Sequence, residues 1–122
     1  MQTTDTVLMV RPATFYGNPQ TLQTNSFQKK CEKDALVTQQ AQHAFDEYHD
    51  VLLRAGVNVL VIQDAEIHET PDSIFPNNWI STSTDATIFT FPMEALNRRR
   101  ERRPEILKAL HQQFICNKHI DL

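Results

Sequence analysis

Glycine is scarce. The chain has two, Gly17 and Gly56, in 122 residues, against roughly 7% in ordinary proteins. A glycine-rich loop that cradles phosphates cannot be built from them. Cysteine is equally rare: Cys31 and Cys116 lie far apart and form no CxxC, which excludes a disulfide scaffold and a zinc ribbon. Positive charge is not in excess. The 12 Lys and Arg face 15 Asp and Glu, for a net charge of −3, and bulk charge therefore argues against a polyanion-binding protein. No apolar run approaches the ~18 residues that span a bilayer. Met1-Gln2-Thr3-Thr4-Asp5 sets no basic region ahead of a long apolar segment, so no signal peptide is expected and the cytoplasm is the expected compartment. What remains is a globular composition, 40% hydrophobic and 22% charged, in a length suited to one domain or part of a larger one.

The apolar residues that are present fall into short runs. Residues 6–11, closed by Pro12, read as a strand buried on both faces. Residues 13–34 are polar and irregular, with Gly17-Asn18-Pro19 as a turn signal. So long a connection is either a lid or binding segment, or an ordinary mobile surface loop. Residues 35–55 read as one amphipathic helix, because Val37, Ala41, Ala44, Phe45, Tyr48, Leu52 and Ala55 recur at three- and four-residue spacing. Asp34 is placed to cap its first turn and Gly56 to end its last. Residues 57–62 read as a second buried strand, which predicts a βαβ unit with parallel pairing.

Residues 63–77 form another polar connection punctuated by Pro71 and Pro76. Residues 79–83 and 86–91 read as a hairpin around Thr84-Asp85. An arginine-rich stretch, 98–103, precedes a helical stripe of Ile106, Leu107, Leu110 and Phe114, with Pro104 suited to the first turn. Residues 119–122 look like the opening of another strand. The order β, α, β, β, β, α, β predicts one αβ module plus most of a second, without a residue-level repeat between them.

The densest cluster of unusual residues is Thr70-Pro71-Asp72-Ser73-Ile74-Phe75-Pro76-Asn77-Asn78-Trp79. It follows a predicted strand, where open α/β sheets bind ligands. Asp72 is a charged acceptor, Asn77 and Asn78 both donate and accept, and Phe75 and Trp79 offer flat apolar walls. The same residues also fit an Asx-turn loop with two proline-rigid corners and a core tryptophan. The five arginines in 98–103 are read first as a solvated helix start. One or two of them are free to fold inward and clamp a carboxylate bidentately. There is no interleaved aromatic platform for a nucleic acid.

Metal and nucleophile readings fare less well. His43 and His49 are six apart and do not share a helical face. His68-Glu69 lacks the second histidine of an HExxH motif, and His111 and His119 sit on different elements. Cys116 and His119 invite a nucleophile–base reading, but strand alternation would send them opposite ways. Cys116 is read instead as a small buried hydrophobe. Cys31 has no evident activating base.

The segment from Pro71-Asp72-Ser73-Ile74-Phe75-Pro76-Asn77-Asn78-Trp79-Ile80-Ser81 through Phe91-Pro92-Met93 to Asn97-Arg98-Arg99-Arg100-Glu101-Arg102 resembles the N-terminal part of the guanidine-modifying (pentein) superfamily. It is most similar to the amidinotransferase-like hydrolases near dimethylarginine dimethylaminohydrolase, and among these to the citrulline-utilisation hydrolases. Leu8-Met9-Val10-Arg11-Pro12 and the Phe15 to Phe27 loop share the resemblance, which spans nearly the whole chain. It implies an α/β fold, here a partial αβ propeller over residues 1–122, and a central site. There a cysteine thiolate attacks the trigonal carbon of a guanidine or ureido group, and a histidine serves as acid and base.

Carried over by position, Asp72 and Phe75 match substrate-pocket residues. Asn78 stands where many relatives have an aspartate that contacts the guanidinium. Arg98 or Arg99 matches an arginine that binds the substrate carboxylate. Residues 13–30 match a lid-like segment. Two departures bear on function. Neither Cys31 nor Cys116 matches the cysteine motif, which lies further along a longer chain. The expectation is therefore pocket residues without catalytic ones, in a fragment, a truncated product or half of a split protein. Asn78 in place of an acid trades a charge-assisted bond for a neutral one and favours a neutral ureido group.

Three functions follow. One is an amidinohydrolase part that binds a guanidino or ureido amino acid without cofactor, metal, nucleic acid or membrane. The second is an inactive partial domain that pairs with a complementary C-terminal chain or with itself through open strand edges. The third is a small ligand-binding module with no reaction.

Overall fold

The computed structural model describes residues 4–28 and 30–122. Lys29 of the lid-like segment, and Met1, Gln2 and Thr3 of the stretch read for a leader, lie outside them. The chain is mixed α/β. It comprises β1 (Thr6–Arg11), α1 (Ala35–Arg54), β2 (Asn58–Gln63), β3 (Ile80–Thr82), β4 (Thr87–Thr90), α2 (Leu96–Arg99), α3 (Pro104–Gln113) and β5 (Lys118–Asp121). Single 3₁₀ turns at Glu66–His68 and Pro76–Asn78 punctuate the connection from β2 to β3.

The first unit is βαβ. β1 and β2 pair in parallel, residue for residue from Thr6 with Asn58 to Arg11 with Gln63, and α1 makes the crossover that parallel pairing requires. Both ends of α1 form for the reasons its sequence contains. Asp34 accepts a hydrogen bond from the Leu36 amide at 2.6 Å, which satisfies one free donor of the first turn. At the other end Gly56 adopts φ 81°. Its amide donates to the Leu53 carbonyl, and Val57 donates to that of Leu52, each at 3.0 Å. This is the 6→1 and 5→2 pairing of a Schellman termination.

The second unit repeats the plan and adds a strand. β4 and β5 pair in parallel, joined through α3, and β3 lies antiparallel on the other edge of β4. The hairpin turns where expected, at Thr84 and Asp85. Asp85 accepts from the Ser83 hydroxyl and from the Thr87 amide, and these bonds hold its carboxyl below the usual range.

One core joins the two units: Val10, Trp79, Ile80, Ile88, Met93, Ile106 and Leu110, with Leu8, Leu60, Ile62, Leu107 and Cys116 packed against it. Trp79, 1% exposed, is thus a core residue and does not wall the hollow beside Asp72. The expectation that β1 and β2 are buried on both faces is corrected. Only Val10 is fully buried in β1, and β2 has no fully buried residue. The apolar stripe of α1 is likewise fully buried only at Phe45, with Val37, Ala41 and Leu52 half-buried and Tyr48 57% exposed. Phe114 leaves the α3 stripe, because the helix ends at Gln113 and Phe114 is extended.

Candidate functional site

The parallel strands β1, β2 and β4 run into the polar connections 12–34, 64–79 and 91–95 respectively. These three meet, so the candidate site lies beyond the carboxyl ends of the strands, where α/β sheets place ligands. Asp64 anchors the second connection as it leaves β2. It is buried, and its Oδ1 accepts from Arg103 Nη1 at 3.1 Å and its Oδ2 from the Thr70 hydroxyl at 2.9 Å. A tight turn follows, with the Ser73 amide donating to the Thr70 carbonyl and the Phe75 amide to that of Asp72.

That turn presents Asp72 inward. Its Oδ2 accepts from Asn18 Nδ2 at 2.7 Å and lies 3.7 Å from Arg98 Nε. Beside it lies a hollow of about 380 Å³ walled by Phe15, Tyr16, Phe27, Cys31 and Phe75. Tyr16 holds its phenol proton more tightly than usual, first through burial and then through the negative charges of Glu69 and Asp72. Phe75, 47% exposed, is the flat wall that Trp79 does not supply.

Arg98 gathers the rest. Its Nε and Nη2 donate to the two oxygens of Glu101 at 3.0 Å each, and Nη2 also reaches Asn78 Oδ1 at 3.0 Å. Glu101 is almost wholly enclosed. Burial raises its pKa, and the Arg98 guanidinium opposes that rise. Asp72, Asn78 and Arg98 therefore share one network, and Asp72 and Phe75 share one hollow. Arg99 is elsewhere. It donates to the carbonyls of Met93 and Glu94 and lines a separate hollow of about 500 Å³ with Arg102, His119 and Asp121.

The arginine run divides as the two readings allow: Arg99 and Arg100 stay exposed, whereas Arg98 and Arg103 fold inward onto carboxylates. Arg100 pairs with Glu69, Arg102 with Asp121, and Arg103 with Asp64 and Glu105. Two of these pairs, Arg100 with Glu69 and Arg103 with Asp64, tie the second unit to the connection that leaves β2. Cys116 and His119 do not meet. Cys116 precedes β5 and faces the hollow lined by Leu8 and Leu110, whereas His119 pairs with Thr90 beside Arg102. Among the described residues no group of three or more His, Cys, Asp or Glu is placed to hold a metal, and no helix is long and apolar enough to cross a membrane.

A network of carboxylate, amide and guanidinium beside an aromatic hollow is suited to a planar nitrogenous group. The family described as N,N dimethylarginine dimethylhydrolase, eukaryotic, matches residues 11–122. The chain belongs to that family. No curated protein and no solved structure matches it. Membership marks the chain as an arginine-modifying, hydrolase-like domain. The matched span takes in every residue of the network just described, Asn18 included. The resemblance to dimethylarginine-type hydrolases carried by the Pro71–Arg102 motifs agrees with this family. Asn18, Asp64, Asn97 and Glu101 had no role of their own in the sequence, although Asn18 lies in the lid-like segment and Asn97 and Glu101 lie in the arginine-rich motif. Asn18 also belongs to a turn tripeptide, and Asp64 follows the end of a strand.

Proposed function

We propose that this chain forms the substrate-recognition wall of a hydrolase acting on a guanidino or ureido amino acid, as one part of an αβ propeller. The observation that carries the proposal is the Asp72–Arg98–Asn78–Glu101 network beside the aromatic hollow. In this reading Asp72 accepts from the planar nitrogens of the ligand, and Phe75 with Phe15 and Tyr16 stacks on their faces. Arg98 Nη1 takes the ligand carboxylate, its other donors being held by Glu101 and Asn78. Arg99 has no part in this reading, because its guanidinium donates to the Met93 and Glu94 carbonyls and makes no bond to the Asp72–Arg98–Asn78–Glu101 network. The thiolate that attacks the trigonal carbon belongs to polypeptide outside these 122 residues, since neither Cys31 nor Cys116 matches the family's cysteine motif.

Asn78 sets the preference. Its Oδ1 is taken by Arg98, so its amide hydrogens remain to donate to a neutral ureido oxygen. Citrulline is then favoured over arginine. Asn78→Asp should reverse this by about tenfold, the difference between a neutral and a charge-assisted hydrogen bond. Titration of the wild type and the variant with L-citrulline and L-arginine tests it, and an unchanged ratio of affinities would sink it.

A second reading, association with a complementary chain, is favoured by β1. β3 covers the outer edge of β4, but among the described residues no strand lies on the corresponding edge of β1. Apolar hollows of about 380 and 710 Å³ flank Thr6, Val7 and Leu8, and an uncovered strand edge invites pairing.

A further inference from the structure

Beyond Gly17 the connection from β1 to α1 is not held in place by apolar burial. Phe27, its most prominent hydrophobic residue, is 94% exposed. The base of the connection is tied to α1, where Thr38 Oγ1 accepts from the Phe15 amide and Gln42 donates to the Pro12 carbonyl. Beyond Gly17 the ties are different. Asn18, with no exposed surface, donates through Nδ2 to Asp72 at 2.7 Å and to Asn97 Oδ1 at 3.3 Å. Asn97 Nδ2 donates back to Asn18 Oδ1 at 2.7 Å. Gln20 completes the clasp, its Oε1 accepting from the Asn97 backbone N–H at 3.0 Å. Two side-chain amides 79 residues apart thus exchange hydrogen bonds in both directions, and one of them also touches Asp72.

We infer that the Asn18–Asn97 amide pair is a latch that holds residues 17–28 closed over the Asp72–Phe75 hollow, making both asparagines positioning residues for the ligand. The ligand half of this statement rests on the pocket reading above. The chemistry of the pair is specific. Each amide must donate and accept at once, which neither a carboxylate nor an alkyl group can do. At position 18 the donor also faces a carboxylate, so an aspartate there sets like charges together.

Hydrogen exchange of the 122-residue chain, read for residues 17–28 and separately for α1, tests the latch. Asn18→Ala should speed exchange in 17–28 by about tenfold or more, the worth of one or two hydrogen bonds, with α1 unchanged. Asn18→Asp should open the loop further at neutral pH and return toward the Asn18→Ala level in acid, as the carboxyl pair takes up protons. A purely structural role for the side chain does not produce that acid recovery. Titration with L-citrulline and L-arginine should show both probes weakened about tenfold in Asn18→Ala.

Unchanged exchange in 17–28 overturns the latch. An open loop with undiminished probe affinity overturns the positioning role. A wild-type chain that binds neither probe overturns the pocket reading, and the exchange arm still decides the latch by itself. Should Asn18→Ala also expose α1, the exposed Gln20→Ala removes one bond of the clasp and must speed exchange in 17–28 alone.

Discussion

The two βαβ units follow one plan with opposite economies. The first has the longer parts, with strands of six residues and a helix of 20, yet α1 buries only Phe45. The second has strands of four residues and a helix of ten, yet α3 buries both Ile106 and Leu110, and β4 is buried at three of four positions. The difference lies in cover. β3 lies on the outer edge of β4, and Trp79 beside it fills the core, whereas the edge of β1 has no such strand among the described residues. Element length reflects local pattern, but stability depends on what is packed against the element.

The tie between the units gives the largest expected effect. Arg103, at the start of α3, pairs with Asp64, at the end of β2, and both are buried. Arg103→Met removes the cation and leaves the carboxylate enclosed, which should cost about 3 kcal/mol or more. If the units depend on each other, urea melts will show one transition moved to lower concentration. A cost below about 1 kcal/mol would mean that the units are not joined there. Next in size is a matched pair of truncations. Ile106→Ala opens a cavity in the core and should cost about 2–5 kcal/mol. Val51→Ala on α1, where the residue is half exposed, should cost less than about 0.5 kcal/mol. Equal costs would erase the contrast.

Most elements of the fold were legible because their signals are local. The 35–55 helix is declared by spacing, Asp34 and Gly56, and the hairpin by Thr84-Asp85. Asp72 and Phe75 come together because four residues of one turn carry them. Other features depend on distance. Asn18 and Asn97 are separated by 79 residues and Asp64 and Arg103 by 39, and each already has a sufficient local reading as a turn or part of a charge run. The open face of α1 was illegible for a related reason: periodicity says which side chains share a face, not whether anything covers it.

The smallest prediction sharpens the comparison at the backbone. Each unit contains a residue in the left-handed region beside a strand: Gly56 before β2, at φ 81°, and Ala86 before β4, at φ 63°. Gly56 reaches that conformation without steric cost, and a Cβ there would meet nothing within 4 Å, so only the backbone opposes a side chain. Ala86 bears such a cost, about 1–2 kcal/mol, and the better-packed second unit holds it in place. Replacing it with glycine removes that strain but adds roughly 0.5–1 kcal/mol of unfolded-chain entropy. Ala86→Gly should therefore stabilise, and Gly56→Ala destabilise, each by about 0.5–1 kcal/mol. Opposite shifts in urea midpoint are the expected result. Destabilisation by both would mean that the hairpin does not hold Ala86 in the left-handed region, and the packing advantage assigned to the second unit would have to be found without it.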